Sequence, residues 1–450
     1  MGKSGIENRR GFIKDSAKAI AFAGTIGIEQ TIASPTYIKK LSSSTLRLGA
    51  IGLRGIGWAN INAFKKNPDT EFLAFADIDS GILKSKTEEY STAYSSKPDQ
   101  YADYKKILER KDIDAVLINT PDHWHTLQLF DTLQSGKHAY VEKPLANSIE
   151  ECLLLEKAVK KFDKVVQVGQ QQRSGKHFQD AIAWLHQGKL GKIRSVRCWI
   201  YNGNKGSVPI IADEPIPPGV DYNTWLGPAP SRPFNKNHFH FMFRWFWEYA
   251  GGLMTDWGVH LLDVALWGMK NPWPVTVSAS GGKFAFPEDA MQTPDTMMAT
   301  YQFPEFLLTW EHTIGIGRGP FDREHGIAFY GENGCLVVDR KGWEVIPEFK
   351  KDPLGLREYR TPPIPMQFAT GDDRVAHAAD FIQCIKSGGK PVCPIETGSQ
   401  VAIISHLGNM AFRSGQTIGW DAEKKKVIGN PESIKFGKAS YRKPFLLPVI

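Results

Sequence analysis

From Thr45 onward, short apolar runs alternate with helix-length segments, and this rhythm restricts the fold more tightly than any other feature of the chain. The runs at residues 47–51, 71–76, 114–119, 138–141 and 165–168 are separated by segments such as 82–90, 126–134 and 148–162. Short apolar strands joined through helices predict a parallel sheet covered on both faces. After about Gln170 the rhythm changes. Residues 193–200, 275–284, 296–303, 307–314 and 327–338 read as longer strands, several joined by short turns, and Asn333-Gly334 is a tight-turn pair. This half is expected to form a large, mostly antiparallel open sheet, with late helices over 376–387 and 398–414. The fold class is therefore α/β, with one domain over 45–170 and a second over 171–450.

A chain of 450 residues exceeds one ordinary domain, which agrees with that division. The net charge of +7 is spread along the chain with no basic block, so no nucleic-acid partner is expected. Five cysteines, Cys152, Cys198, Cys335, Cys384 and Cys393, form no C-x-x-C pair and no zinc spacing, and read as small buried side chains.

Residues 1–44 stand apart. Arg9-Arg10-Gly11-Phe12-Ile13-Lys14 precedes an uncharged run over 19–28 that is too short to span a bilayer. The segment resembles a twin-arginine export signal. That likeness implies passage through the twin-arginine translocon and a periplasmic location, with Ser42-Ser43-Ser44 as a linker.

The first strand runs into Gly49-Ala50-Ile51-Gly52-Leu53-Arg54-Gly55-Ile56-Gly57. Glycines at such a turn let the backbone approach a pyrophosphate held at the following helix N-terminus. Arg54 occupies the usual middle glycine position. The second strand ends at Asp77, the spacing at which a carboxylate binds ribose hydroxyls and repels a 2′-phosphate. Gly52, Arg54, Gly55, Ile56, Gly57 and Asp77 therefore outline a Rossmann-type site for NAD, with NADP disfavoured.

Further segments follow in order: Asn119-Thr120-Pro121-Asp122-His123-Trp124-His125, Gly136-Lys137-His138, Glu142-Lys143-Pro144, and Gly251-Gly252-Leu253-Met254-Thr255-Asp256-Trp257-Gly258-Val259-His260-Leu261-Leu262-Asp263. Together they resemble the Gfo/Idh/MocA family of oxidoreductases. The resemblance implies a sugar or polyol substrate and a homo-oligomer, dimer or tetramer, built on the open sheet. It places Thr120, Pro121 and His125 beside the cofactor and Glu142 and Lys143 at the nicotinamide.

The same likeness brings Lys143, Asp256 and His260 to the reacting carbinol. Four residues apart, Asp256 and His260 would share a helix face. His260 is the candidate base. Asp256 is expected to orient it or bind a sugar hydroxyl, and Lys143 to steady a developing alkoxide. Trp257, Arg244 within the aromatic stretch 239–247, and Arg173 after Gln170-Gln171-Gln172 are candidate substrate contacts. The pairs His123/His125 and His238/His240 lack a completing carboxylate spacing, so no metal is assigned. The leading expectation is an NAD-dependent sugar oxidoreductase. An NAD-assisted glycoside hydrolase or epimerase and a non-catalytic sugar sensor remain as alternatives.

Overall fold

The structure is a computed structural model that describes residues 45–351 and 357–450; the export-like segment 1–44 lies outside the described residues. The first sheet consists of β1 (Leu46–Ile51), β2 (Thr70–Ala76), β3 (Asp99–Tyr101), β4 (Ala115–Ile118), β5 (His138–Val141) and β6 (Val166–Val168). All its pairings are parallel, in the order β3-β2-β1-β4-β5-β6. β4 is buried along its whole length and β1 at all but one position, as expected for strands covered by helices on both faces. At Gly49 a Cβ would lie 2.5 Å from Ile107 Cγ2, so the helix layer there sits directly on the strand backbone.

Caps fix where the helices begin. Asp79 accepts from the amides of Gly81 and Ile82 to start Ser80–Tyr94. Ser148 accepts from Glu151 N and donates to its carboxylate, a capping box that starts Ile149–Phe162.

The second sheet takes β7 (Ile193–Asn202), β8 (Thr276–Gly282), β9 (Thr296–Gln302), β10 (Leu307–Ile314), β11 (His325–Gly331), β12 (Gly334–Asp339) and β13 (Gly342–Pro347). A separate ribbon pairs β14 (Phe349–Lys351) with β15 (Arg357–Tyr359). β16 (Ile364–Phe368), β17 (Ile418–Asp421) and β18 (Lys426–Ile428) complete the large sheet. Its order is β16-β13-β12-β11-β7-β10-β9-β8-β17-β18. Only β7 and β10 run parallel; the other described pairings are antiparallel. The expected single strand 327–338 is a hairpin that turns at Glu332-Asn333. All five cysteines are free and buried.

Packing does not respect the boundary at residue 170. The late helix Asp373–Ser387, capped by Asp372, lies against the first sheet. Its Phe381 ring meets Phe64 at 5.9 Å, and Phe64 meets Tyr140 at 5.4 Å. Residues from the second half thus complete the core of the first.

Candidate functional site

The carboxyl ends of β1 and β4 point into a crevice where the strand order reverses, the place where open parallel sheets take ligands. A cavity of 530 Å³ opens there. One end is the glycine turn. Gly52 has φ +82°, and a Cβ on it would lie 3.0 Å from the Asn119 carbonyl oxygen. Gly55, φ +49°, caps the helix Ile56–Lys65 without any side-chain bond to the first-turn amides, and a Cβ there would meet only open space. Gly57 N donates back to the Arg54 carbonyl at 2.9 Å, no side chain caps the turn, and the room beside it fits a pyrophosphate. Asp77 lines the same end. It accepts from Leu53 N at 2.9 Å and Asp79 N at 3.0 Å, and burial raises its pKa against those amides. Each carboxylate oxygen keeps a lone pair for a ribose hydroxyl.

The other end is built from both sheets. Lys143 Nζ donates to Asp256 Oδ1 at 2.8 Å and to the Asp256 carbonyl at 3.0 Å. Arg244 Nε lies 3.3 Å from Asp256 Oδ2. Burial opposes ionisation of Asp256, but the charges of Lys143 and Arg244 outweigh it and hold the carboxyl well below its usual range. His260 is pushed the other way. Burial, then Lys143 and Arg340, drive its pKa well below 6.5, so the ring is neutral at neutral pH; its buried Nδ1 has no hydrogen-bond partner among the described residues. Glu142 accepts from Asn60 Nδ2 at 2.8 Å and from Lys143 N at 3.2 Å. Burial raises its pKa, opposed chiefly by Lys143.

Gly52, Arg54, Gly55, Ile56, Asp77, Thr120, Pro121, Glu142, Lys143, Arg244, Asp256, Trp257 and His260 all face this cavity. Four expected residues are placed differently. Gly57 does not line it: it sits behind the turn, packed against the Gly52 carbonyl. His125 is fully buried behind the loop, its ring nitrogens 2.7 Å from the Pro144 carbonyl and 2.8 Å from the Thr120 carbonyl. It braces two loops that line the cavity and does not line it itself. Arg173, expected as a substrate contact, does not line the cavity. Both Asp263 oxygens accept from its Nε at 2.8 Å, and its guanidinium stacks on Trp267 away from the cavity. Finally, Asp256 ends one short helix, Gly252–Asp256, and His260 lies in the next, Gly258–Gly268. Asp256 bonds to Lys143 and lies against Arg244, and among the described residues no hydrogen bond joins it to His260.

Asp122, Arg340 and Arg374, not singled out from the sequence, also line the cavity, as do Gln171 and His240 from the two stretches that were. Asp122 stood inside a quoted motif. Arg340 and Arg374 arrive from the end of β12 and the first turn of Asp373–Ser387, and no local pattern marks them. Arg340 lies over the Trp257 ring at 4.3 Å and donates to Gln172 Oε1 through Nε and Nη2, both at 3.2 Å.

Known proteins repeat this architecture. Residues 46–170 match the Gfo/Idh/MocA family described as "Oxidoreductase family, NAD-binding Rossmann fold", and residues 195–304 match its "Oxidoreductase family, C-terminal alpha/beta domain". A Shewanella pealeana protein named glycosyl hydrolase family 109 protein is 28% identical over 203 residues, covering 41% of this chain and 44% of that relative. The matched region thus spans less than half the length of the curated relatives. Among solved structures, an aldose-aldose oxidoreductase from Caulobacter crescentus superposes with TM-score 0.63 at 19% identity, over 83% of this chain and 99% of that one. A levoglucosan dehydrogenase in complex with NADH and levoglucosan gives TM-score 0.62 at 19% identity, over 83% and 99%. At that identity the likeness is one of fold. With both family halves matched in order, around a cavity that both halves line, the chain belongs to the Gfo/Idh/MocA oxidoreductase family and carries its NAD-binding Rossmann domain.

Proposed function

We propose that this protein oxidises a carbinol of a sugar or polyol, using NAD in preference to NADP. The observation that carries the reading is the convergence of Lys143, Asp256 and a neutral, buried His260 on the wall of a cavity whose other end is the glycine turn. When bound, NAD supplies the acceptor for the two electrons and hydrogen that leave the carbinol carbon. The neutral imidazole of His260 takes the hydroxyl proton. The Lys143 ammonium, held in place by Asp256, donates to the oxygen as negative charge develops there. Trp257 lines the same wall with Arg340 over its ring. Asp77 favours NAD because its carboxylate repels a 2′-phosphate. The export-like segment supports delivery of the finished protein to the periplasm through the twin-arginine translocon.

The test is single-turnover reduction of protein-bound NAD with a panel of sugars and polyols, read from nicotinamide absorbance. At least one sugar should reduce the cofactor, and His260→Ala should slow that step by about 10²–10⁴-fold while NAD stays bound. An unchanged rate in His260→Ala would remove the histidine from the chemistry. A second reading, an NAD-assisted glycoside hydrolase, is favoured by the names of the curated relatives. Release of an aglycone without net reduction would replace the first reading by this one. Binding without either reaction would make the protein a sugar sensor.

A further inference from the structure

The cavity wall holds more cation than the proposed chemistry uses. Lys143 and Arg244 share Asp256. Arg340 and Arg374 share no carboxylate in that way: among the described residues neither guanidinium makes a direct ion pair, and Asp256 and Asp373 act on Arg340 only at longer range. Arg340 is fixed by the neutral Gln172 Oε1 and by the Trp257 ring. Arg374, half-buried in the first turn of Asp373–Ser387, has no side-chain hydrogen bond to any described residue. The nearby Asp373 carboxyl packs against Gly175; it feels the charges of both arginines without a direct contact to either. Burial, then the neighbouring Arg374, push Arg340 below its ordinary pKa against the pull of Asp256 and Asp373, and both arginines line the same cavity wall.

Two guanidiniums on one cavity wall, neither donating to a described carboxylate, keep N–H donors free for an anion that enters the cavity. The cofactor's pyrophosphate is matched to the glycine turn, which Arg54 flanks. Arg340, by contrast, is placed by Trp257 and Gln172 beside His260. A planar fork of N–H donors suits a carboxylate in two-pronged contact. We propose that Arg340 and Arg374 receive the carboxylate of an acidic sugar of the uronic-acid class, and so select the substrate of the proposed oxidoreductase. The inference rests on the reading of this cavity as a sugar site.

The experiment is calorimetric titration of NAD-loaded protein with D-glucuronate and D-galacturonate against D-glucose and D-galactose, together with glucose 6-phosphate and glucose 6-sulfate. The uronates should bind about tenfold or more tightly than the neutral partners, the worth of a charge-assisted contact. In Arg340→Gln and in Arg374→Gln that ratio should fall toward one, while Arg340→Lys keeps part of it. All three variants should retain NAD. Neutral sugars binding as well as uronates, a ratio indifferent to the arginines, or NAD lost in place of the ratio would overturn the proposal. Tighter binding of the phosphate or sulfate ester would overturn the carboxylate assignment. Arginine-dependent uronate binding without cofactor reduction would sink the oxidoreductase reading and leave this inference standing.

Discussion

At the scale of single residues, the site separates charge states by environment. His260 is neutral because burial and two cations stand against its protonation, and Asp256 is ionised because two cations stand for it. Asp122, the first residue of the helix Asp122–Gln134, is the unusual case. Burial pushes its carboxyl up to about 7; Lys143 and Arg244 pull it down and Asp256 raises it. The carboxyl is therefore protonated below about pH 7 and adds a negative charge beside Lys143 and Arg244 above it. Uronate affinity should weaken as the pH rises through about 7, and Asp122→Asn should remove that inflection. Calorimetric titration on either side of neutrality checks it; the same inflection in Asp122→Asn would assign the proton elsewhere.

At the scale of elements, the connection between β7 and the helix Gly252–Asp256 acts as a strap across the β2 end of the first sheet. Ser80 N donates to the Gly219 carbonyl and Asp221 N to the Ile78 carbonyl, each at 2.9 Å. Arg54 Nη1 lies 3.1 Å from His240 Nε2 in the same connection. The strap closes over the dinucleotide end of the cavity, which Ile78, Thr224 and His240 also line. Gly219 is the position to test. Its φ is +83°, which a β-branched side chain adopts only under strain, and a Cβ would also displace the Ser80 hydroxyl 2.5 Å away, so Gly219→Val disfavours the docked strap. Losing two backbone hydrogen bonds should speed NAD dissociation by about tenfold or more. The measure is NAD content after gel filtration, and wild-type retention in the variant would show that the strap does not hold the cofactor.

At the scale of the whole molecule, both halves are needed for one site. Glu142 and Lys143 come from the turn after β5, Arg244, Asp256 and His260 from the second half, and Arg374 from a helix that returns to the first sheet. Such a site exists only in folded protein, which suits export through a pathway that carries folded chains. If the segment 1–44 directs that route, replacing Arg9 and Arg10 by Lys should leave active, NAD-loaded protein in the cytoplasm. Cell fractionation with an activity stain reads the outcome, and undiminished periplasmic delivery would refute the twin-arginine route.

How much of this was legible beforehand follows from the range of each interaction. The glycine turn, Asp77 and the strands β1, β2, β4, β5 and β6 were readable because turn conformation, strand patterning and phosphate approach are decided within a few residues. The hairpin at Glu332-Asn333 was half-readable, from its Asn-Gly signal. The family resemblance also grouped Lys143, Asp256 and His260. Their pairing was decided by the fold: Asp256 serves Lys143 and Arg244 because the break at Trp257 sets His260 in a separate helix. Arg173 looked like a substrate contact and became half of a buried ion pair, since Asp263 reaches it only across the packed helix. Arg340 and Arg374 carried no local signal at all. Sequence by itself determines short-range geometry and therefore the cofactor end; the reach of a charged side chain depends on which distant element packs beside it, and that only the tertiary structure decided.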